Sequence, residues 1–330
     1  MKYADKRTYI GHMDQLFRVK DYTLRGGRQE GVRAIDIDNG TGLELTILPD
    51  RCMDFYQVRF MGKNTNFIAP CGIVSPQKSN HFLDSFFAGF LTTCGTENIG
   101  AANEDQGKAV PMHGGLSATP AEHVSIDAET PDGTPTVVIR GQMRQAALFG
   151  PNMLMKRTII CRYGENKISF TDEVVNEGHR EEPLMLLYHF NMGYPLLSEN
   201  AVLHIPSEGV RAHNAHAERH IAQWRDISPP AFPYEEMCYH HHIGRLPDGT
   251  AEVGISNPDA EMELFIRYDR DLLDHFTQWK QLGKGAYAMG LEPCNASIRG
   301  RAAAREDGTL KFLQGGETKT YRFEIRFSAL

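Results

Sequence analysis

Apolar and polar residues alternate along much of this chain. Tyr321, Phe323, Ile325 and Phe327 alternate with Arg322, Glu324, Arg326 and Ser328, which predicts a strand with one wet face near the C-terminus. Leu43, Leu45 and Ile47 alternate with Glu44 and Thr46, and Pro49-Asp50 ends that run. Met262, Leu264, Ile266 and Tyr268 repeat the pattern. Residues 158–163 and 168–175 flank Gly164-Glu165-Asn166-Lys167, a four-residue hairpin signal. A further short strand is expected at 137–139. Helical spacing is scarce. Phe82, Leu83, Phe86, Phe87 and Phe90 would share one face of a helix over 81–91, capped by Ser79 or Asn80. That stripe reads as core-facing rather than as a cofactor box. Residues 272–282 are expected to form a second short turn or helix.

Short strands divided by turn signals, without regular helices between them, predict an all-β antiparallel sandwich or barrel. Such folds run past about 250 residues as one domain. No repeat or linker interrupts the chain. Residues 1–330 are therefore expected to form a single domain, with 1–30 as an N-terminal extension packed on it.

Composition narrows the class. With 41% hydrophobic residues and a net charge of −7 over 330 residues, the chain is not disordered. The acidic balance weighs against a nucleic-acid partner, and no apolar run has the length of a membrane span. The N-terminus, Met1-Lys2-Tyr3-Ala4-Asp5-Lys6-Arg7, leads into no apolar signal segment. Cys52, Cys71, Cys94, Cys161, Cys238 and Cys294 are sparse and show no C-x-x-C spacing. They read as reduced thiols, and a cytoplasmic protein is expected. Exposed sheet edges leave a homodimer open. Fourteen histidines are the feature that asks for a chemical explanation.

Four segments offer candidate chemistry. Pro111-Met112-His113-Gly114-Gly115-Leu116 sets a histidine beside bare backbone that a ligand could approach; the plainer alternative is a turn histidine capped by its own backbone. In Leu186-Leu187-Tyr188-His189-Phe190-Asn191-Met192, His189 and Asn191 would share one strand face, either as a sugar site or as a buried, hydrogen-bonded core pair. In Tyr287-Ala288-Met289-Gly290-Leu291-Glu292-Pro293-Cys294, a lone carboxylate sits in an apolar run and needs a task or a partner such as Arg299, Arg301 or Lys280. Thr92-Thr93-Cys94-Gly95-Thr96-Glu97-Asn98-Ile99-Gly100 reads as a polar, glycine-bracketed loop close enough to share the pocket of His113, without a signature for Cys94 as nucleophile.

His113-Gly114-Gly115, Tyr188-His189-Phe190-Asn191 and Leu291-Glu292-Pro293, in that order, resemble the aldose 1-epimerase (galactose mutarotase-like) superfamily across roughly residues 31–327. Leu48-Pro49-Asp50-Arg51-Cys52-Met53-Asp54 and Gln278-Trp279-Lys280-Gln281-Leu282-Gly283 look like a separate branch of it. The resemblance implies a large antiparallel β-supersandwich holding a sugar in a groove on one sheet, with no metal and no cofactor. It implies Glu292 as general base for the anomeric hydroxyl and His189 as general acid for the ring oxygen. It implies His113 as a hydrogen-bonding partner of the opening sugar. Substrate contacts are expected from Arg51, Asp54, Asn98, Asn191, Glu236, Tyr239, Trp279 and Lys280.

Three departures from the family pattern stand out. No arginine precedes the His113 segment, and Arg51 is the candidate stand-in. A carboxylate between the middle histidine and the final glutamate corresponds to Glu235 or Glu236. Pro195 follows Tyr194 where the family has an aromatic-Asn-Leu ending. A metal-assisted isomerase, epimerase or lyase on the same fold, or a carbohydrate-binding protein without chemistry, are the alternative functions. The remaining histidines bear on them. His216 and His220 stand at i and i+4, a helical metal spacing, near His213; solvated loop residues are the plainer reading. Of His240-His241-His242, only His240 and His242 can share a strand face, and one of them is a candidate to line the groove.

Overall fold

In a computed structural model describing residues 3–330, two large antiparallel sheets pack face to face. The main sheet runs, in spatial order, through Arg18–Thr23, Arg33–Asp38, Leu43–Leu48, Asp54–Phe60, Leu91–Thr96, Met185–Met192, Ala286–Cys294, His275–Gly283, Met237–Ile243 and Ser207–Ala212. The second sheet runs through Val202–His204, Thr250–Asn257, Met262–Asp269, Thr318–Ala329, Lys167–Asn176, Asn152–Arg162, Thr136–Ala146 and Ala121–Glu129. Segments read from alternation are strands, and the hairpin at Gly164 joins Asn152–Arg162 to Lys167–Asn176, with Cys161 opposite Ile168. Within the expected N-terminal extension, Arg18–Thr23 pairs with Arg33–Asp38 and forms one edge of the main sheet.

The core lies between the sheets. Phe170 and Phe323 stack at 4.6 Å in the second sheet, and Tyr188 and Phe190 of the main sheet tilt against Phe323. A polar network crosses the same layer. Fully buried Arg157 donates twice to Asp172 (2.8 and 2.7 Å) and once to Asp54 (2.9 Å). The Tyr188 hydroxyl donates to Asp172 at 2.9 Å, so the strand Met185–Met192 is tied to the second sheet.

The middle of the main sheet is covered on its outer face as well. Cys94, Met185, Leu187 and Cys294 pack there beneath the helix Arg301–Glu306. Every residue of Met185–Met192 is buried for that reason. Polar side chains on this face are therefore held in an apolar setting.

Two expected helices are replaced. The helix over 81–91 shrinks to Phe82–Ser85, because Ala88 and Gly89 take left-handed dihedrals (φ 57 and 66) and turn the chain into the strand Leu91–Thr96. Its aromatic stripe divides accordingly: Phe87 and Phe90 enter the interior, while Phe82 and Phe86 face outward. Residues 272–282 carry the strand His275–Gly283, in which buried Phe276 and Leu282 alternate with Thr277, Trp279 and Gln281. The segment read as a polar loop at 92–100 is likewise a buried strand through Thr96.

Candidate functional site

Cross-strand register brings two sequence-distant residues together. Phe190 pairs with Leu291, so His189 and Glu292 stand side by side on the outer face, just beyond the apolar cover. His189 Nε2 lies 3.3 Å from Glu292 Oε1. The two are only 6% and 2% exposed. The contact is at ion-pair distance without hydrogen-bond alignment, and His189 Nδ1 also lacks a partner among the described residues. Burial, with Glu236 adding repulsion, holds the Glu292 carboxyl well above the usual carboxylate range. Burial, reinforced by His113 and opposed by Asn191, lowers His189 to about 3.

Gly290 makes room for this carboxylate. A Cβ there would sit on top of Glu292 Oε1 and 2.8 Å from Trp279 Cβ. Both are tighter than real Cβ contacts allow.

His113 completes the constellation from a loop. Its ring packs 4.6 Å from Phe82 and 6.2 Å from His189. Its Nδ1 accepts from the Gly100 N–H at 3.4 Å, and burial lowers its pKa to about 4. The backbone is in the left-handed region (φ 57), a conformation costing a non-glycine residue roughly 1–3 kcal/mol. Gly95 N–H donates to His113 O, and His113 N–H donates to Gly100 O, both at 2.9 Å, which pins the loop. Gly114 serves that packing: a Cβ on it would collide with Gly95 O, so its bare backbone meets another strand and not a ligand. The walls are Phe86, 5.2 Å from His189, and Trp279, 5.4 Å from His189. Trp279 Nε1 donates to Glu236 Oε2 at 2.7 Å.

The family described as a domain of unknown function (DUF4432) matches residues 29–327. The chain belongs to DUF4432. No curated protein matches it. Among solved structures, a candidate aldose 1-epimerase from Klebsiella pneumoniae subsp. pneumoniae MGH 78578 superposes with a TM-score of 0.87 at 23% identity, covering 95% of this chain and 85% of that one. A galactose mutarotase-like protein from Clostridium acetobutylicum gives 0.65 at 13% identity over 96% and 100%. Galactose 1-epimerase from Lactobacillus acidophilus NCFM gives 0.59 at 11% identity over 95% and 99%. The DUF4432 chain thus has the all-β galactose mutarotase-like fold.

Several expected sugar contacts lie elsewhere in this DUF4432 structure. Arg51 is 1% exposed and spends its guanidinium on the carbonyls of Ser117, Val74 and Ser85 (2.8, 2.8 and 3.1 Å). It clamps the turn leading to Phe86 and does not reach the pair. Asp54 is fully buried between the sheets with Arg157 and Thr93, and burial pushes its carboxyl up to about 6. Asn98 is a loop organiser: its Nδ2 donates to Pro111 O at 2.8 Å and its Oδ1 accepts from Arg301 N. Asn191 stays on the strand face of His189 as expected, but its Nδ2 is spent on Ala88 O and His189 O, leaving Oδ1 without a partner among the described residues.

Strand alternation separates neighbours that were expected together. Trp279 faces the pair, so Lys280 points to the opposite face, where its Nζ donates to Gln223 O. Tyr239 is turned the same way, packed with Ala217 and Met237. Lys280, His216, His220 and Glu235 line a cavity of about 390 Å³ on that opposite side. Glu235 lies 3.4 Å from His216 there, so of the two neighbouring glutamates Glu236 is the one near the pair. Glu292 pairs with none of the expected cations: Arg301 contacts Asp105 and Arg299 contacts Asp307. Cys94 is buried, and burial raises its thiol far from thiolate chemistry.

Thr277 and Phe86, not singled out for the site, also reach it, as does His240, one of the two strand histidines expected to line the groove. Thr277 is directly opposite Glu292, and its Oγ1 lies 3.3 Å from His240 Nδ1. His240 Nε2 in turn lies 3.2 Å from His213 Nδ1. His240 was legible as a face-sharing strand histidine, whereas Phe86 was hidden inside the apolar stripe.

Proposed function

We propose that this protein is a sugar mutarotase of the aldose 1-epimerase type, with Glu292 and His189 as its acid–base pair and His113 polarising the opening sugar. The observation that carries the reading is the buried His189–Glu292 contact at 3.3 Å, walled by Phe86 and Trp279. Ring opening requires one proton to leave the anomeric hydroxyl and one to reach the ring oxygen. Both oxygens are bonded to the same carbon, so two adjoining groups can serve them together. Glu292 as carboxylate takes the hydroxyl proton, His189 as imidazolium delivers a proton to the ring oxygen, and the carbon–ring-oxygen bond breaks to give the open aldehyde. Rotation and the reverse transfer close the other anomer.

Burial favours the uncharged forms of both groups, a protonated Glu292 and a neutral His189. The charged form holds the same single proton and the same zero net charge. The two forms therefore differ only in which of the two groups holds that proton. A lone buried charge would cost far more.

The test is anomer exchange measured by saturation-transfer NMR over a panel of hexoses and pentoses, with and without EDTA. Glu292→Gln and His189→Gln are each expected to lower the exchange rate by about 10²–10⁴-fold. An unchanged rate in Glu292→Gln would end the assignment of that residue. Sensitivity to EDTA would favour the metal-assisted alternative.

A further inference from the structure

A row of polar side chains leads from the pair to the sheet edge. Glu292 is opposite Thr277, Thr277 is opposite His240, and His240 is opposite Arg211 on the edge strand Ser207–Ala212. Directly opposed residues of antiparallel strands share a face, so all four project outward with His189. His213 joins them through its 3.2 Å contact with His240. Basic groups gather at this end of the sheet face. Arg211 and His275 act on His240 and disfavour a further positive charge there; on His213, Glu236 favours it and Arg299 opposes it. Of the acidic groups around them, Asp274 is paired with Lys311 and Asp307 with Arg299, Glu208 lies against His242, and Glu236 accepts from Trp279 and keeps its charge. Arg211 is exposed, and its guanidinium makes no hydrogen bond or ion pair among the described residues.

We propose that Arg211, His240 and His213 form a subsite for an anionic substituent of the sugar, a carboxylate or phosphate carried across the ring from the anomeric carbon. The proposal rests on the reading of Glu292 and His189 as the anomeric site. At about 4.8 Å per strand, His240 stands about 10 Å and Arg211 about 14 Å from Glu292. A pyranose lying across the strands with its anomeric carbon over the pair points its far substituent toward His240, and the long Arg211 side chain can extend back along the sheet to meet it. The planar guanidinium presents two parallel N–H donors to such a group. His240 spends both ring nitrogens on Thr277 and His213, so it positions His213, whose Nε2 is the ring nitrogen without a contact among the described residues and can donate to the anion.

The experiment separates this subsite from the chemistry. Binding is measured by calorimetry on Glu292→Gln, with His189→Gln as a second inactive background, using glucose, galactose, their 6-phosphates and the corresponding uronates. One anionic class is expected to bind at least about tenfold tighter than its neutral parent, and Arg211→Met is expected to remove about tenfold of that preference, as for one charge-assisted contact. Because Arg211 is exposed, the variant keeps the fold, checked by circular dichroism. The phosphate and uronate arms identify the anion. Neutral sugars binding as tightly as both anionic forms, a preference that survives Arg211→Met, or no binding of any anionic sugar overturns the subsite. An Arg211-dependent preference without anomer exchange in the unaltered protein leaves the subsite standing and sinks the mutarotase reading. Exchange of neutral sugars without anionic preference does the reverse.

Discussion

Gly290 carries more of the site than its lack of a side chain suggests. It stands opposite Trp279 and two residues before Glu292, and the space above it holds the Glu292 carboxylate. Gly290→Ala is expected to push that carboxylate off its position by about the width of a methyl group. Misplacement on the order of 1 Å costs about 10²-fold in rate, while overpacking costs about 1–3 kcal/mol of stability. Exchange NMR beside a urea melt would separate the two effects, and full activity in the alanine variant would show that the carboxylate does not need the space. The LEP motif was readable as a carboxylate in an apolar run; the glycine's role was not, because it depends on where the side chain two residues on folds back.

Among the elements, the strand Met185–Met192 is the one both layers depend on. Its outward residue His189 serves the site, and its inward neighbour Tyr188 binds Asp172, which Arg157 holds together with Asp54. Arg157→Met would leave two carboxylates buried without their cation. Breaking a buried pair in this way costs about 3–5 kcal/mol, expected as a lower urea midpoint. A midpoint within experimental error of the unaltered protein would mean that the two acids take up protons and repack at little cost. Strands were legible where apolar residues alternate with a wet face, as in Thr318–Ala329. Leu91–Thr96 was missed because, covered on both faces, it loses its alternation, and Phe82 to Phe90 before it mimics a helical stripe.

For the whole molecule, buried histidines set the response to acid. Burial is the largest cause holding His113, His240 and His241 at about 4, below their ordinary 6.5. Unfolded, these rings take up protons as pH falls through 6.5; folded, they wait until about 4. Their contribution to stability is therefore present above pH 6.5 and is lost as pH falls toward 4, at about 1.4 kcal/mol per pH unit for each unbalanced proton. Asp54 acts oppositely: raised to about 6, it favours the folded state at low pH and loses that contribution as pH rises from 3.8 through 6. Within the His189–Glu292 pair the two shifts run in opposite directions, Glu292 raised and His189 lowered by burial, so their contributions to the pH dependence offset each other. His241 is 5% exposed, bonded to Ser207 and Gln278. His241→Gln should flatten the decline of urea stability between pH 6.5 and 5 by about one proton, and an unaltered slope would remove His241 from the account.

The sequence by itself determined the strand-rich class, the order of the three motif segments, and which residues carry ionisable groups in apolar surroundings. Those properties are local: alternation, turn residues and a carboxylate among aliphatics are visible within ten positions. The tertiary structure decided which of them meet. Register placed His189 against Glu292 across more than a hundred residues of chain, and strand alternation sent Lys280 and Tyr239 to the opposite face from Trp279. Burial on both sides of the main sheet then turned Arg51, Asp54 and Asn98 into internal ties, because a buried polar group must spend its hydrogen bonds on what surrounds it.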